Sequence, residues 1–594
     1  MTVDAVTAEP ADARPEPEGA PPNGSPAGIV RGVSYAGCFV VAFLLVLLYI
    51  RPWAEPGFDV FPEGWDLTWM QMTFVVNGQV GPFGVTDHLA FPDGYSTWSY
   101  PQLGLGAAVF AWVVVGVAGV GSALALWLFV AVAAGLNALA LNYLFRSVVG
   151  SRLVPLVVCL AAVIGASSFV LFRIHNANLI PFALIPLVLG VLIRLTQPGA
   201  ALRLGTLLLV AVSALISPLW WVTVAVLLLP LMAVPELFRR DWRALGRYGS
   251  VLGAVLVGFV FQTVMYLIAL PAGYVETRGP WQSNAYAGFL SDLLLTSPWV
   301  TDHISALQAV RVGSSGDLAQ VGMIGGVGAV CAVIAVLAGP PRRWRGFDTR
   351  VLSAGTVVAV LYFVVGGLGN LQEAAAVLVG LVSPARVWSR MLLIIAILGI
   401  AWILLVARGY LDRHPLSRNG SAVVGVSAAV LLLGVWGLDA SATPRTGWDG
   451  RSLPVATAAM PEAAPIAFIQ AATDPCPVAQ LPVNGMPNWR VFRPYDIVYR
   501  GLIPYVMEPD WYWSLGSNPT GDTAGLAALP TVVSDAELIA LADQGYCAVL
   551  YDKELARAAI DQDDTELPGR DLGEIRDPDF VSGRYSVYLL DPAP

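Results

Sequence analysis

Long apolar segments recur along the first 440 residues of this chain, and they limit the folds that it can adopt. Each run is about 17–22 residues long, enough for a helix to cross a hydrocarbon core of ~30 Å. Of all residues, 56% are hydrophobic and only 13% are charged, about half the charged share of a typical soluble domain. The sequence therefore predicts an α-helical polytopic membrane protein.

We predict about eleven membrane spans from these runs. Their approximate boundaries are 32–50, 122–145, 154–171, 179–197, 204–217, 220–236, 248–270, 320–338, 351–368, 390–407 and 420–437. The run 204–217 is short and joins the next run through ISPLWW, so an irregular hairpin is an alternative for this pair. Segment 103–120 is apolar enough to span, but as a span it would move every later arginine cluster outside. We interpret it as a helix in or dipping into the outer membrane face, with a true span as the alternative.

The distribution of arginine orients the predicted spans. The long loops 51–121, 271–319 and 369–389 carry few arginines, whereas the loops on the other side are rich in them. The arginines of the rich side are Arg146, Arg152, Arg194, Arg203, Arg239, Arg240, Arg243, Arg247, Arg342, Arg343, Arg345, Arg350, Arg408, Arg413 and Arg418. Cytoplasmic loops carry the excess of positive charge. We therefore predict a multi-pass protein of the plasma (inner) membrane, with a cytoplasmic N-terminus and its last region outside.

The composition divides the chain into three regions. Residues 1–28 are rich in Ala, Pro, Glu and Gly and predict a disordered cytoplasmic tail, and 29–438 form the transmembrane domain. In 439–594 the apolar runs shorten, and PVAQLPV, CAVLYD and YSVYLLD predict strands. SDAELIALADQG predicts a helix that Gly545 ends. The last region is therefore predicted to be a small extracytoplasmic α/β domain.

The cysteines and the histidines restrict the metal chemistry. Cys476 and Cys547 lie beside predicted strands of the outer domain, where an oxidising compartment permits a disulfide between them. The chain has only four histidines and contains neither CxxC nor HExxH, which argues against a zinc enzyme. The metal requirement is left open, and a divalent cation held by carboxylates is the remaining option.

Residues 51–101 form an acidic, aromatic-rich segment in the first outer loop. Asp66 of GWDLTW is the candidate general base, because Trp65 and Trp69 would hold it at the interface, where partial desolvation suits a proton acceptor. The candidates for binding an acceptor or a cation are Asp59, Glu63, Asp87 and His88. The alternative is a solvated lid without chemistry.

Two pairs of residues near the outer membrane face are candidates for binding a lipid phosphate, and a third pair is a weaker candidate. Arg173 and His175 occur in LFRIHNANL, and Arg386 and Arg390 occur in SPARVWSR with the i, i+4 spacing of one helix face. The guanidinium fork matches phosphate oxygens, and snorkelling of the arginines is the alternative. The weaker candidates, in the second large outer loop, are Asp302 and His303 of SPWVTDHIS.

Taken in order, several segments resemble bacterial GT-C-class polytopic membrane glycosyltransferases, which use polyprenyl-phosphate sugars. The segments are GWDLTWMQ with HLAFPDGYSTWSYPQ, SSFVLFRIHNANLIPFALIPLVL, FLSDLLLTSPWVTDHISAL, SPARVWSRMLLIIAI and RPYDIVYRGLIPYVMEPDWYWSLG. The resemblance covers most of residues 55–555. It implies a helix after the acidic residue of the first outer loop. RIHNAN departs from the family pattern, in which an acidic residue follows the arginine.

The resemblance implies a reaction as well as a fold. A sugar would pass, with inversion, from a polyprenyl-phosphate donor to an extracytoplasmic glycan or glycoconjugate. Asp66 would be the catalytic base, and Arg173, Arg386 or Arg390 would bind the donor phosphate. The net charge of −9 argues against a nucleic-acid partner.

Two other classes of function remain as alternatives. A transporter or flippase of a lipid-linked glycan is expected to carry ionisable residues at mid-membrane depth, and the predicted spans have almost none. A non-catalytic assembly protein of the cell envelope would not depend on the carboxylates of the first loop.

The predicted topology can be tested by labelling single cysteines. Arg342→Cys and Thr520→Cys, each in a background without other free thiols, should face opposite sides of the membrane. A membrane-impermeant maleimide should label position 520 in intact cells and position 342 only after lysis. Labelling of both positions from one side would contradict the topology.

Overall fold

The architecture is taken from a computed structural model of the chain. It describes residues 26–53, 59–61, 67–91, 94–99, 103–150, 153–197, 200–269, 287–293, 296–303, 320–339, 343–344, 347–372, 388–414, 417–443, 454–484, 500–514, 526, 529–562, 564, 566–573 and 575–590.

Helices account for most of the described chain up to residue 442. The helices before residue 200 are α1 (Pro26–Ile50), α2 (Leu67–Val80), α3 (Gly104–Ala111), α4 (Ser122–Val149), α5 (Val154–Gly165), α6 (Ser168–Phe172) and α7 (Leu184–Thr196). Those from 200 to 442 are α8 (Leu204–Ile216), α9 (Leu219–Phe238), α10 (Trp242–Ala269), α11 (Pro298–His303), α12 (Gly322–Leu337), α13 (Arg350–Phe363), α14 (Met391–Arg413) and α15 (Arg418–Ala442). α3 continues into a π-helical turn, Trp112–Val117, and α6 into a 3-10 segment, Arg173–Leu179.

Every predicted span coincides with helix, but the helices differ in length. Within the described residues, eight helical segments are long and apolar enough to cross a membrane. The remaining three predicted spans are α8, α12 and α13, of 13, 16 and 14 residues. The full span count therefore stays a prediction. Segment 103–120 contains only the short α3 and its π-helical turn, which leaves its position in the membrane face a prediction as well.

The apolar helices pack closely where small residues face each other, as is common in membranes. Gly328 on α12 and Gly399 on α14 are in direct backbone contact, and a Cβ on Gly399 would lie 1.7 Å from the carbonyl oxygen of Gly328. Gly258 on α10 lies against the backbone of Ala214 on α8 in the same way. These contacts bring the helix axes close and bury the inner faces of the bundle.

The arginines at one end of the bundle bind groups on neighbouring helices. Arg146 donates to Ser34 Oγ at 2.7 Å, and Arg408 donates to the carbonyl of Val148 at 2.7 Å. On α13, Arg350 binds the buried Glu236 at 2.6 Å. The structure therefore collects these arginines, predicted to be cytoplasmic, at one end of the bundle.

A small hairpin of β1 (Arg343–Trp344) and β2 (Phe347–Asp348) lies between α12 and α13. The C-terminal region folds into a mixed sheet with short helices. Its strands are β3 (Pro477–Leu481), β4 (Tyr512–Trp513), β5 (Val532–Val533), β6 (Ala548–Asp552), β7 (Asp571–Leu572), β8 (Phe580–Val581) and β9 (Tyr585–Leu589). The helices are α16 (Ala463–Ala472), α17 (Ile503–Met507), α18 (Asp535–Asp543) and α19 (Lys553–Asp561). Five strands form one sheet in the order β4-β3-β6-β9-β8, and β5 pairs with β7. β4, β3 and β6 are parallel, whereas β9 is antiparallel to β6 and β8.

Local signals explain the elements of this sheet. The three predicted strands are present as β3, β6 and β9. α18 begins with a capping box between Ser534 and Glu537 and is followed by Gly545 at φ +91°. A disulfide joins Cys476, next to β3, to Cys547, next to β6. The sheet is thereby cross-linked where its two central strands start.

A buried charged cluster fixes α16 against the sheet. The fully buried Glu462 accepts hydrogen bonds from Arg500 Nε at 2.7 Å and from the hydroxyl of Tyr585 at 2.6 Å. Burial raises the pKa of Tyr585, so its hydroxyl keeps its proton and remains a donor. The charge of Glu462 is thus compensated inside the domain.

The contact between α12 and α14 gives a stability prediction. Gly399→Ala should force these helices apart, because its Cβ has no room against Gly328, and overpacking of this kind costs about 1–3 kcal/mol. The thermal midpoint of the detergent-solubilised protein should fall. Gly434→Ala on α15 is the matched control, since no atom lies within 4 Å of its Cβ position. Equal midpoints for both variants would contradict the predicted overpacking.

Candidate active site at the outer end of the bundle

The first outer loop extends the edge of the C-terminal sheet. Leu89 forms a parallel bridge with Trp513 of β4. The amide of Trp513 donates to the carbonyl of His88 at 2.9 Å, and the amide of Phe91 donates to the carbonyl of Trp513 at 3.2 Å. An edge strand has unpaired backbone groups, and here the loop satisfies part of them. The loop and the C-terminal sheet are therefore joined by backbone hydrogen bonds.

Side chains reinforce the same junction. The imidazole of His88 stacks on Tyr512 with ring centroids 4.4 Å apart. Gln79, near the end of α2, accepts from the hydroxyl of Tyr505 at 2.6 Å and donates to the carbonyl of Pro509 at 3.0 Å. We refer to this junction of residues 79–91 with residues 505–513 as the loop–domain clip.

The acidic candidates of the first loop have different surroundings. Asp87 is 70% exposed and lies 3.6 Å from Nε2 of His88. Asp59 is exposed, and its carboxylate accepts from the amide of Thr457 at 3.3 Å. Both residues thus sit where the loop meets the C-terminal region. Glu63 and Asp66 lie outside the described residues.

The chain on either side of segment 62–66 is tightly held. The amide of Phe61 donates to Oε1 of Gln71 at 3.0 Å, and the hydroxyl of Thr68 donates to the carbonyl of Phe61 at 3.2 Å. Gln71 also donates to the carbonyl of Asp59 at 2.5 Å. α2 starts at Leu67, directly after Asp66, and packs against the 3-10 segment that begins with Arg173.

Two candidate arginines lie at the two ends of one group of aromatic rings. We define the aromatic cluster as Phe169, Phe182, Trp220 and Trp221. The guanidinium of Arg173 lies 5.8 Å from the ring centre of Phe169, and that ring is 6.2 Å from Trp221. Trp221 meets Trp220 edge-to-face at 4.5 Å, and the guanidinium of Arg390 lies 5.4 Å from the ring centre of Trp220. Arg173 is only 1% exposed.

A buried carboxylate that the sequence did not single out lies beside α6. Asp439 of α15 is 3% exposed and accepts from the amide of Met323 at 2.6 Å and from the hydroxyl of Ser297. It faces the N-terminus of α12, where a negative charge is favoured. Gly322, at φ +77°, leaves room there, because a Cβ would lie 2.7 Å from Asp439 Oδ2 and 2.9 Å from Ser168 Oγ. Asp439 therefore joins three segments at this end of the bundle, which is predicted to be the outer one.

The remaining candidates contribute less to this site. Asp302 and His303 are exposed in α11, where His303 stacks on Trp299 and its Nδ1 lies 2.8 Å from the Trp299 carbonyl. His175 belongs to the 3-10 segment, and Arg386 is outside the described residues. In the described part of the chain, no three His, Cys, Asp or Glu side chains come together as a metal site.

In fold, the helical bundle with its small α/β region resembles GT-C-type membrane glycosyltransferases. No family model and no curated protein matches the chain. Among solved structures, it is similar to the arabinofuranosyltransferase AftD from Mycobacteria, with a TM-score of 0.50, 16% identity and coverage of 94% of this chain and 40% of that chain. The chain thus spans about two fifths of the length of AftD. At this identity the similarity shows the fold.

Two further solved structures are matched at lower TM-scores. ArnT from Cupriavidus metallidurans in the apo state has a TM-score of 0.41 and 15% identity, with 96% of this chain and 99% of that chain covered. The Archaeoglobus fulgidus oligosaccharyltransferase, in a complex with Zn and sulfate, has a TM-score of 0.41 and 13% identity, with 87% and 68% covered.

The loop–domain clip can be tested by a double-mutant cycle. His88→Ala and Tyr512→Ala each remove the same stacked pair, so their effects on thermal stability should be less than additive, with a coupling of about 0.5–1.5 kcal/mol. A cycle of His88→Ala with Ile539→Ala, whose side chain is 61% exposed on α18, should be additive. Additivity in both cycles would show that the stacking does not join the two parts.

Proposed function

We propose that this protein transfers a sugar from a polyprenyl-phosphate donor to an extracytoplasmic cell-envelope glycan or glycoconjugate, with inversion at the anomeric carbon. The GT-C-type fold supports the general class. The observation that carries the proposal is the outer-end arrangement of Arg173 and Arg390 around one aromatic cluster, next to the helix that starts directly after Asp66. Such a site combines cationic groups for a phosphate with apolar surface for a lipid.

In the proposed reaction Asp66 is the general base. It takes the proton of an acceptor hydroxyl while the hydroxyl oxygen attacks the anomeric carbon from the side opposite the phosphate. The bond from that carbon to the phosphate oxygen breaks, and its electron pair leaves with the lipid phosphate. Arginine side chains at the outer face, with Arg173, Arg386 and Arg390 as the candidates, stabilise the charge on the leaving phosphate. His175 is a further candidate for the donor side.

The acceptor side is assigned to the C-terminal domain and the first loop. The loop–domain clip and the contact of Asp59 with Thr457 hold that domain against the loop. We infer that the domain binds the growing glycan or closes the site over it. The remaining loop candidates, Glu63, Asp87 and His88, belong to this acceptor side. The proposal does not require a divalent cation, but it is compatible with one bound by these carboxylates.

The competing classes predict different chemistry. A transporter needs ionisable groups at mid-membrane depth, whereas the buried ionisable groups named here lie where helices begin or end, as Arg173, Asp439 and Glu236 do. This placement favours an enzyme whose chemistry occurs at the membrane surface. A non-catalytic assembly protein would tolerate loss of every first-loop carboxylate.

Substitution of the base is the direct test. Asp66→Asn should lower sugar transfer by ~10²–10⁴, because the acceptor hydroxyl loses its proton acceptor. The measurement is transfer from a panel of polyprenyl-phosphate sugars to envelope glycan by the purified protein in lipid nanodiscs. Asp93→Asn is the control and should change little, since FPDG is a turn sequence.

The possible outcomes distinguish a wrong assignment of the general base from a wrong class of protein. Suppose that Asp66→Asn transfers sugar at nearly the wild-type rate and that Asp59→Asn or Glu63→Gln loses transfer. The enzyme class would then hold, and the general base would be Asp59 or Glu63. Absence of transfer by the wild type, with cell-envelope function retained in all three variants, would contradict the glycosyltransferase and favour a transporter or an assembly protein.

A further inference from the structure

The turn between α8 and α9 presents a helix N-terminus beside the aromatic cluster. α9 runs for 20 residues from Leu219, and its N-cap residue is Pro218, with no side chain that caps the helix. The first amides of a helix point outward and carry a partial positive charge, which favours a bound anion. A helix N-terminus alone does not define a site, but here the side chains of Trp220 and Arg390 lie beside it.

The two tryptophans at the start of α9 differ in their indole nitrogens. Trp221 is fully buried, and its Nε1 donates to the carbonyl of Leu179 at 2.8 Å. The Nε1 of Trp220 is also buried, but among the described residues it has no hydrogen-bond partner. A buried donor without an acceptor is costly, and such groups are uncommon in folded proteins. An acceptor supplied by a bound ligand would satisfy the indole of Trp220.

Arg390 supplies the charge that such an acceptor should complement. Its guanidinium lies 5.4 Å from the ring centre of Trp220, in the range of a cation–π contact. Arg390 is also the residue from which α14 begins. A guanidinium that interacts with a ring face can still direct N–H groups from its edge toward an oxyanion. A guanidinium thus lies beside the indole of Trp220, which itself belongs to the first turn of α9.

We propose that Trp220 is a ligand of the donor phosphate, acting together with Arg390 and the first amides of α9. This inference rests on the proposed function and narrows its donor site to the Trp220–Arg390 end of the aromatic cluster. Arg173, at the other end, is then a positioning residue whose guanidinium lies over the rings of Phe169 and Phe172. The ligand chemistry is a phosphate monoester or diester, which a lipid headgroup or free phosphate could supply.

The neighbouring helix favours the lipid as the source. Gly104 at the start of α3 lies against the turn, since a Cβ there would be 2.7 Å from the carbonyl oxygen of Ser217. The segment that follows it carries exposed apolar side chains, including Trp112 and Val117. A polyprenyl chain whose phosphate is held at Trp220 would therefore have an apolar surface beside it.

The test measures binding to the full-length protein in lipid nanodiscs, with a long-chain polyprenyl monophosphate, the matching polyprenol and inorganic phosphate as probes. Trp220→Phe keeps an aromatic ring and removes the N–H. It should weaken binding of the polyprenyl monophosphate about tenfold, the loss expected for one hydrogen bond to a charged group. The thermal midpoint without ligand should not fall, because the substitution removes a buried donor that has no partner.

Trp402→Phe is the matched control. It removes a buried indole N–H of α14 that donates to Thr356 Oγ1 at 3.4 Å, so binding should stay at the wild-type level. If inorganic phosphate alone raises the thermal midpoint of the wild type but not that of Trp220→Phe, the anion site is confirmed. Phosphate without the lipid chain is then sufficient for binding. Wild-type affinity in Trp220→Phe overturns the inference but leaves the proposed function. If the wild type binds polyprenol as tightly as polyprenyl monophosphate, a polyprenyl-phosphate donor is ruled out, and the inference falls with it.

Discussion

A backbone inside hydrocarbon must satisfy its own hydrogen bonds, and this constraint organises the whole molecule. It makes the apolar runs helical and confines irregular backbone to places where other groups replace the missing bonds. The segment from α6 to α7 is such a place, since Asn176 leaves helical geometry there. The carbonyls of Leu179 and Ile180 are satisfied by the side chains of Trp221 and Asn137, at 2.8 and 2.7 Å. The break that presents Arg173 thus exists because neighbouring helices supply these donors.

The same constraint explains why the candidate chemistry lies at helix ends. A helix that ends or breaks leaves polar groups that must be bound, and a ligand can bind them as well as a side chain can. Asp439 binds the N-terminus of α12, whereas Pro218, the N-cap residue of α9, makes no capping hydrogen bond with its side chain. The N-termini of α12 and α9 therefore have different surroundings. One is satisfied by a carboxylate of the protein, and the other lies beside a guanidinium and an indole N–H.

The sequence predicted the elements well because their signals are local. Apolar runs located the helices, and alternation with turn residues located β3, β6 and β9. The predicted span 248–270 starts inside α10, which begins at Trp242, because Arg243 and Arg247 interrupt the apolar run but not the helix. Asp439 was missed because the last span was ended at 437, and the helix continues to Ala442.

Contacts between distant residues left no comparable signal. His88 was interpreted as an acceptor or cation ligand, but nothing near it in sequence indicates the ring of Tyr512 on which it stacks. Trp220 occurs in ISPLWW, which reads locally as a turn, and its relation to Arg390 arises only when α9 and α14 pack. A pattern can show that an aromatic residue lies at the membrane interface. It cannot show that one of two adjacent indoles has an acceptor and the other has none.

The two halves of the candidate site are held by different kinds of contact, and this difference suits sugar transfer. The proposed donor side belongs to packed helices, whose positions are fixed by close contacts such as that of Gly328 with Gly399. The proposed acceptor side depends on the loop–domain clip, which consists of a few hydrogen bonds and one stacked pair. Preorganised positive groups stabilise a leaving phosphate best when they do not move during the reaction. An acceptor glycan must enter and leave, so the weaker clip is the part from which opening is expected.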